Sequence, residues 1–313
     1  MKIVFMGTPE FAVPSLEILL KNNMDVVMVV TQPDKPRGRG YKVSYSPVKE
    51  CALKNNIPVM QPEKIGSSEA VEQLRQLEPD LFVTCAFGQF LNQDVLNIPR
   101  FGTVNVHGSL LPKYRGAAPI QWAIINGEKK TGVTTMLTVL KMDAGDILLT
   151  KEISIDDDMT AGQLHDKMSI IGAELLLETI HRLEEGNITP IPQEESEVSY
   201  APRIVRETGK IKWEDTATSV HNLVRGTNPW PGAYSYLNGK RMRIWKTNVH
   251  DEEKTTGKEP GTIIEINKDG FSVQTGKGVI NVCEIQCDNS KRMTVEQYIC
   301  GHEVKLGDRF ESE

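Results

Sequence analysis

In the first part of the chain, apolar runs of strand length alternate with a segment whose apolar residues recur at the period of a helix. Residues 2–6 and 26–30 form mostly apolar runs of strand length, and residues 10–22 between them carry an apolar pattern of helical period. Pro14 falls in the first turn of that helix, where its missing N–H costs little. This strand–helix–strand order, with apolar strands, predicts a parallel sheet covered on both faces.

This alternation of strand-like and helical segments continues to about residue 187. Gly186 and Asn187 end the last and longest helical pattern. The further predicted elements are helices at 46–54, 68–77 and 160–185, and strands or extended segments at 59–60, 81–86, 103–104, 131–140 and 147–155. The chain is therefore predicted to be α/β, with a Rossmann-like parallel-sheet domain over residues 1–189.

After residue 187 the pattern changes. A polar, acidic segment that contains prolines is predicted to be a linker, residues 190–206, and short strands with frequent turns follow. Asn238-Gly239 and Asp269-Gly270 are hairpin signals. The predicted strands are 210–213, 234–237, 242–249, 261–267, 270–275 and 278–283. We expect a smaller all-β domain over residues 207–313, an OB-like β-barrel.

Composition narrows the class of protein. With 313 residues, two domains are expected, and 25% charged with 39% hydrophobic residues is typical of a globular chain. No apolar run approaches about 18 residues, so we expect no membrane span and no membrane partner. The first residues are too short an apolar run for a signal peptide. Five scattered cysteines favour a reducing cytoplasm over a disulfide framework.

Several familiar reaction classes lack their motifs. The turn Gly7-Thr8-Pro9 does not have the glycines of a dinucleotide fingerprint, so the topology does not imply NAD. There is no G-x-S-x-G, and Cys85 is flanked by apolar residues. The pair Cys283–Cys287 has no second pair at metal-ligand spacing, so no metal is expected. Direct transfer between two bound substrates fits better than a covalent enzyme intermediate.

The net charge of −6 conceals two basic regions. The loop at 31–48 contains four cations against Asp34, with Lys49 just beyond: Lys35, Arg37, Arg39 and Lys42. Such a loop is either a solvated surface segment or an arm that contacts phosphates, and charge alone does not separate these readings.

The second basic region, residues 203–249, contains nine Lys and Arg against three acids. The basic residues are Arg203, Arg206, Lys210, Lys212, Arg225, Lys240, Arg241, Arg243 and Lys246. Aromatic residues are interleaved with them: Trp213, Trp230, Tyr234, Tyr236 and Trp245. We expect the aromatic side chains to fill the barrel core, whereas Lys240, Arg241 and Arg243 favour a nucleic-acid surface.

Candidate chemistry is concentrated at the end of one predicted strand. Asn105 and His107 are two residues apart, which places both side chains on one face of the strand. An amide N–H can hold a developing oxyanion, and an imidazole can move a proton near pH 7. Asp143, in the acidic turn, would orient the imidazole, but its spacing in sequence does not bring it to His107, and a turn role is an alternative.

The stretch NVHGSLLPKYRGAAPIQWA, which begins at Asn105, resembles the folate-dependent formyltransferase family. The likeness extends through MGTPEFAVPSL, TQPDKPRGRG, MDAGD and NPWPGAY, that is, nearly the whole chain. HGSLLP and the Asp-x-Gly-Asp turn are shared by several family members, including amino-sugar and glycinamide ribonucleotide enzymes and formyltetrahydrofolate hydrolases. GAAPIQ, the basic GRG loop and NPWPGA are more specific to members that act on tRNA.

The resemblance implies that 10-formyltetrahydrofolate donates a formyl group to the α-amine of methionine on initiator tRNA. It implies a catalytic set of Asn105, His107 and Asp143. The implied folate-binding residues are Ser109, Leu110, Leu111, Pro112, Phe87, Gly88, Gln89, Met142 and Asp146. The tRNA-binding residues expected from charge and resemblance are Arg37, Arg39, Lys42, Arg203, Arg206, Lys240, Arg241 and Arg243. A monomer without a metal is expected.

Two other hypotheses remain at this point. The first is formyl transfer to a small-molecule amine, such as an amino sugar, or hydrolysis of the formyl folate; the chain shows no further domain for such chemistry. The second, of a different class, is a nucleic-acid-binding barrel attached to an inactive Rossmann-like domain. The presence of Asn105, His107 and Asp143 together argues against it.

Overall fold

A computed structural model describes residues 1–37 and 42–311 of the chain. The strands are Lys2–Gly7 (β1), Asp25–Val30 (β2), Lys35–Arg37 (β3), Lys42–Ser44 (β4), Val59–Met60 (β5), Leu81–Cys85 (β6), Thr103–His107 (β7), Arg115–Gly116 (β8), Lys130–Leu137 (β9), Ile147–Ser154 (β10), Tyr200–Ala201 (β11), Ala233–Leu237 (β12), Lys240–Asp251 (β13), Ile263–Asn267 (β14), Gly270–Gln274 (β15), Val279–Cys287 (β16), Met293–Thr294 (β17) and Phe310–Glu311 (β18). The α-helices are Val13–Lys21 (α1), Pro47–Lys54 (α2), Ser68–Gln76 (α3), Gln93–Leu96 (α4), Pro119–Ile125 (α5), Ala161–Glu184 (α6), Ala217–Gly226 (α7) and Val295–Ile299 (α8). None of the helices in these two ranges combines the length and apolar character that a membrane crossing requires.

The chain folds into two compact units. The first contains Met1–Gly116, Thr131–Ser154 and His165–Ala201, and the second contains Ala117–Lys130, Ile155–Leu164 and Pro202–Glu313. Residues 190–201, within the predicted linker, therefore belong to the first unit.

The first unit is built on one sheet with the strand order β10-β9-β7-β6-β1-β2-β5. The strands from β7 to β5 pair in parallel, and β9 is antiparallel to β7. All residues of β6, and all of β1 after Lys2, are buried. The predicted parallel sheet covered on both faces is thus confirmed, with an antiparallel strand next to β7.

The helices of this unit begin where the sequence supplies caps. Ser46 accepts a hydrogen bond from the backbone N–H of Lys49 at the start of α2, and Ser67 caps α3 in the same way through Ala70. Pro14 lies in the first turn of α1, as predicted. In the part of α6 that belongs to this unit, the apolar residues at helical spacing include Met168 and Ile180, which are fully buried.

The second unit contains an antiparallel sheet with the order β14-β15-β16-β13-β12-β18. Its two ends approach each other, because Thr262 and Arg309 form a bridge and the N–H of Ile263 donates to the carbonyl of Asp308 at 2.8 Å. The sheet therefore curls around a core that includes Trp213 and residues from every long strand. Both predicted hairpins are present, between β12 and β13 and between β14 and β15.

Two predictions for this unit are wrong. Residues 210–213 do not form a strand. A 3-10 helix ends at Gly209 and a turn begins at Trp213, so the segment between them forms a single β-bridge, from Lys210 to Tyr234. The unit is also not all-β, since α7 packs on β13. Thr216 caps this helix by accepting from the N–H of Ser219, a signal that the strand pattern concealed.

The prediction that the aromatic side chains fill the core holds for Trp213 only. Trp213 is buried and donates from its indole nitrogen to the hydroxyl of Ser235 at 2.9 Å. Trp230 is 54% exposed, and Tyr234, Tyr236 and Trp245 are half-buried. On β12 the alternate residues Ala233, Ser235 and Leu237 are the buried ones, so both tyrosines must lie on the other face.

Two cations of the basic regions are internal. Arg225 is buried and donates to the carbonyl oxygens of Asp156 and Met159, at 3.3 and 3.2 Å, and burial lowers the pKa of its guanidinium. Lys49 donates to Asp34 at 2.5 Å and to Gln61 at 2.6 Å, and the hydrogen bond from Lys49 lowers the pKa of Asp34. Neither cation is therefore available to RNA as an open surface charge.

Candidate active site

The carboxyl ends of β1, β6 and β7 meet at one edge of the first unit's sheet. The chain proceeds from β1 outward to β2 and β5 on one side, and from β6 to β7 on the other, so the strand order reverses between β1 and β6. Ligands of open parallel sheets bind outside the strand ends at such a reversal. Thr8, after β1, donates from its hydroxyl to the carbonyl oxygen of Phe87, after β6, at 2.9 Å. This edge is the candidate crevice.

Asn105 lies on β7 opposite Thr84 of β6. The Thr84 hydroxyl donates to Asn105 Oδ1 at 2.8 Å, so the amide oxygen is occupied and the Nδ2 donors face away from Thr84. Thr84 is buried and Asn105 is half-buried. The amide is thus held in one orientation, with its oxygen toward Thr84.

His107 is the last residue of β7 and is 6% exposed. Its Nε2 lies 3.0 Å from the carbonyl oxygen of Tyr114, and because a carbonyl can only accept, Nε2 carries a proton. Nδ1 lies 3.7 Å from Asp143 Oδ2, a distance for electrostatic attraction but longer than a hydrogen bond. Nδ1 is therefore the ring nitrogen that faces Asp143.

Asp143 lies in the turn between β9 and β10 and is half-buried. Its Oδ2 accepts from the backbone N–H of Gly116 at 2.8 Å, which directs the carboxylate toward the loop after β7. The turn is closed by a backbone hydrogen bond from Leu137 N–H to the carbonyl of Asp146 at 2.9 Å. The structure thus brings Asp143 next to His107, which sequence spacing alone did not.

Backbone conformations uncommon for side-chain-bearing residues cluster at this edge. Ala86, Tyr114 and Asp143 have φ values of +46°, +60° and +50°. Apart from asparagines, which tolerate this region, only Glu78 shares it among non-glycine residues in the described parts of the chain. Such conformations persist where the surroundings hold them, and they are typical of functional sites.

The thiol at the end of β6 is not a nucleophile. Cys85 is fully buried, and this burial raises the pKa of the thiol to about 12, so the thiolate is not populated near neutral pH. Within residues 1–37 and 42–311, no group of three or more His, Cys, Asp or Glu side chains is arranged to hold a metal ion. At this edge of the sheet the structure places the side chains of Asn105, His107 and Asp143 close together.

Comparison with known proteins identifies the family. The model for the family described as formyl transferase matches residues 1–180, and the model for the formyl transferase C-terminal domain matches residues 203–303. The chain belongs to the formyl transferase family. It is 57% identical over 98% of its length to the methionyl-tRNA formyltransferase of Acetivibrio thermocellus, and 52% identical over 99% to that of Ruminiclostridium cellulolyticum; in each case 99% of the relative is covered.

Solved structures in the family share the fold. The sugar 3N-formyl transferase WlaRD, determined in the presence of dTDP and 5-N-formyl-THF, aligns with a TM-score of 0.69 and 23% identity over 93% of this chain and 99% of that one. An N-formyltransferase from Helicobacter canadensis aligns with the same TM-score and identity over 90% and 98%. At this identity the likeness establishes the fold alone, and it extends across both units.

The residues predicted to bind folate surround the crevice but differ in exposure. Ser109 is fully buried, and its hydroxyl donates to the carbonyl of Lys113 at 2.6 Å. Gln89 bridges backbone groups, since it accepts from the N–H of Ile65 and donates to the carbonyl of Pro62. Phe87 and Leu111 are also buried, whereas Leu110, Pro112 and Asp146 are half-buried and Gly88 and Met142 are exposed. The hydroxyl of Ser109 and the amide of Gln89 thus stabilise their own loops.

The residues predicted to bind tRNA lie in both units. Arg37 and Lys42 belong to the paired strands β3 and β4, and Arg39 lies outside the described residues. Arg203, Arg206 and Lys240 are exposed, and Arg241 and Arg243 are half-buried on β13. The Arg241 guanidinium lies over the ring of Tyr234, 4.0 Å from its centroid. Tyr236 pairs with Arg241 and Tyr234 with Arg243 across the hairpin, so arginines and tyrosines share one face.

Thr84 was not identified from the sequence, although it is the polar residue in the apolar run of β6. Replacing it with Val should lower kcat about 10-fold, because Asn105 loses the donor that fixes its amide and the donor end is no longer held toward the crevice. The steady-state rate of formyl transfer checks this. Thr135→Val is the control, since Thr135 is also buried in this sheet but bonds to Thr179. An unchanged kcat in Thr84→Val would contradict the role.

Proposed function

We infer that the chain transfers the formyl group of 10-formyltetrahydrofolate to the α-amine of methionyl initiator tRNA, producing formylmethionyl-tRNA for translation initiation. The observation that carries this inference is identity of 47–57% over nearly the full length to relatives named methionyl-tRNA formyltransferase. A second, independent support for this inference is that Asn105, His107 and Asp143 lie together at one edge of the sheet.

The proposed reaction is a direct attack of the amine on the formyl carbon. A carbon–nitrogen bond to methionine forms, the bond between the formyl carbon and the folate nitrogen breaks, the amine loses one proton, and the departing folate nitrogen gains one. Negative charge develops on the formyl oxygen in the tetrahedral intermediate, where the Nδ2 donors of Asn105 and a proton on His107 Nδ1 stabilise it. The carboxylate of Asp143 attracts a proton on that nitrogen and orients the ring.

We propose that the formyl folate occupies the crevice at the ends of β6 and β7. It supplies the formyl group, and the residues expected to hold it are Phe87–Gln89, Ser109–Pro112, Met142 and Asp146. Exposed apolar side chains next to Asp143 suit a flat aromatic ring: Val139, Leu140 and Met142 are 44%, 61% and 44% exposed. Because Ser109 and Gln89 are occupied within their loops, backbone groups and Pro112 are the more accessible contacts.

We propose that the tRNA contacts basic residues on both units. Arg241 and Arg243 beside Tyr234 and Tyr236 combine cations with aromatic rings, as single-stranded RNA ends require. The proposed tRNA-binding residues also include Arg37, Arg39, Lys42, Arg203, Arg206 and Lys240.

The curled sheet of the second unit is consistent with an OB-like barrel, which we propose as its fold class, and we propose residues 1–189 as the catalytic domain. We propose a monomer in the cytoplasm, in keeping with five free cysteines.

Replacing both Arg241 and Arg243 with Ala should raise KM for methionyl-tRNA about 10-fold with little change in kcat, because phosphate contacts are lost while the catalytic side chains remain. The slope of log(kcat/KM) against log[salt] should become shallower by about one for each phosphate contact removed. Lys268→Ala is the control, because Lys268 is an exposed cation on another hairpin of the same unit. Unchanged KM and salt slope would remove this face from the tRNA site.

A comparison of acceptors tests the proposed function. Purified protein with 10-formyltetrahydrofolate should formylate methionyl initiator tRNA with a kcat/KM at least about 10²-fold above that for an amino-sugar nucleotide or for release of formate to water. A preference for the sugar amine, or formate release that is independent of tRNA, would instead favour the small-molecule or hydrolase alternative.

A further inference from the structure

The turn that carries Asp143 is held by one side-chain amide. Gln193 donates from Nε2 to the carbonyl oxygens of Asp143, at 2.8 Å, and Gly145, at 2.7 Å. Carbonyl oxygens only accept, so both hydrogens of the amide are used and its orientation is fixed. The turn itself has little freedom, because a Cβ at Gly145 would lie 1.7 Å from the carbonyl oxygen of Leu137.

The other end of the same amide accepts from a buried guanidinium. Arg115 is 0% exposed, and it donates to Gln193 Oε1 from Nε at 3.0 Å and from Nη2 at 2.8 Å. Its Nη1 and Nη2 also donate to Glu195 Oε1 at 3.1 Å. Hydrogen bonds from Lys141 and Arg115 lower the pKa of Glu195, which keeps this partner ionised. If the Gln193 amide were reversed, its NH2 group would face the N–H donors of Arg115 and its oxygen would face the carbonyl oxygens of the turn, so only one orientation of the amide fits.

Arg115 also belongs to the loop that contacts His107. The preceding residue, Tyr114, provides the carbonyl oxygen at His107 Nε2, and the following residue, Gly116, donates its N–H to Asp143 Oδ2. Two connections therefore lead from the His107 loop to the Asp143 turn. One is the backbone N–H of Gly116, and the other is the side-chain path through the Arg115 guanidinium and the amide that holds the turn.

Gln193 is placed by a segment that is held by backbone pairing at both ends, to β10 at one end and to β8, in a separate two-stranded sheet, at the other. Ile191 and Ile147 exchange backbone hydrogen bonds of 2.8 and 2.9 Å, and β11 pairs in parallel with β8. The N–H of Tyr114 donates to the Ser199 hydroxyl at 2.9 Å. The polar segment after α6 is thus part of the structure around the candidate site.

We propose that Gln193 and Arg115 are positioning residues for formyl transfer, which set the carboxylate of Asp143 relative to His107. The proposal rests on the proposed function, because it assigns a role within that reaction. Neither residue needs to touch a substrate. Both act through the turn, whose displacement by even 1 Å would change the rate of a reaction that depends on alignment.

Gln193→Glu tests the proposal, because it keeps the shape of the side chain and an acceptor for Arg115 but removes both donors to the turn. We expect kcat to fall about 10- to 100-fold, with KM for methionyl-tRNA within about 2-fold of the wild type. Arg115→Lys, which keeps the charge but loses the fork, should lower kcat in the same direction. A wild-type kcat in Gln193→Glu would overturn the proposal.

Gln274→Glu is the matched control. Gln274 is 1% exposed in the second unit, where its Nε2 donates to the carbonyls of Thr275 and Gly278 and its Oε1 accepts from Thr256. This variant should lose thermal stability as a buried amide-to-carboxylate change does, while the folded enzyme keeps its kcat. A loss of kcat equal to that of Gln193→Glu would show that general destabilisation explains both.

The double variant Asp143→Asn/Gln193→Glu tests whether Gln193 affects kcat by positioning the Asp143 carboxylate or by a route that does not involve Asp143. If Gln193 acts through the Asp143 carboxylate, the double variant should match Asp143→Asn within about 2-fold; multiplied losses would overturn the proposal. Crystal structures of the wild type and Gln193→Glu should differ in the distance from His107 Nδ1 to Asp143 Oδ2. If the wild type used another amine as acceptor, the proposed function would fail, and the same comparisons with that acceptor would still decide the role of Gln193.

Discussion

Replacing Asn105 with Ala, or His107 with Ala, should lower kcat for formyl transfer by about 10²-fold or more while the protein stays folded. In the proposed reaction Asn105 supplies amide donors, whose orientation Thr84 fixes, and His107 supplies Nδ1, which lies near Asp143. Both interactions are strongest when the formyl oxygen carries negative charge, so the loss should appear in kcat and kcat/KM together.

Steady-state kinetics with methionyl-tRNA, together with a thermal unfolding curve for each variant, checks this expectation. His250→Ala is a suitable control, because His250 is exposed in the second unit. His107→Gln adds a further comparison, since it retains a donor for the carbonyl of Tyr114 but no ring nitrogen. Turnover in Asn105→Ala or His107→Ala within a few-fold of the wild type, with normal folding, would remove that residue from the catalytic set.

Replacing Asp143 with Asn should also lower kcat by about 10²-fold, with little effect on KM. The amide keeps the size of the carboxylate and can still accept the N–H of Gly116, but it lacks the negative charge that attracts a proton on His107 Nδ1. The comparison with Asp143→Ala, which loses the Gly116 contact as well, separates charge from anchoring.

Asp94→Asn is the control for this charge change, because Asp94 is exposed on α4. If Asp143→Asn kept wild-type kcat while Asp143→Ala lost it, the carboxylate would be an anchor for the turn, and the electrostatic role assigned to it would be wrong.

The parts of this site that depend on local periodicity could be predicted from the sequence. The spacing of Asn105 and His107 on β7 placed both on one face, and apolar runs indicated the parallel sheet that brings strand ends together. Asp143 lies 36 positions after His107, and only the pairing of β7 with β9 brings its turn to the strand end. Resemblance supplied that residue, because no local pattern could.

The elements that were missed depend on tertiary contacts. Gln193 lies in a polar segment that resembles a linker in sequence, and its two bonds to the Asp143 turn depend on the pairing of that segment with Ile147 at one end and with β8 at the other. Helix α7 was missed, although Ala217, Val220 and Val224 lie at helical spacing, because the segments on either side of it have strand patterns. Tyr234 and Tyr236 were expected in the core, but β12 alternates and its buried face was already occupied by Ala233 and Leu237.

A single-turnover experiment tests the central claim most directly. Wild-type protein in excess is mixed with methionyl initiator tRNA and 10-formyltetrahydrofolate labelled in the formyl carbon, and the label is followed in the folate, in the tRNA, in formate and on the protein. We predict that label lost from the folate appears one for one as formylmethionyl-tRNA, with no label on the protein at any time. Label released as formate, label retained on the protein, or no transfer to methionyl-tRNA would contradict direct formyl transfer to this acceptor.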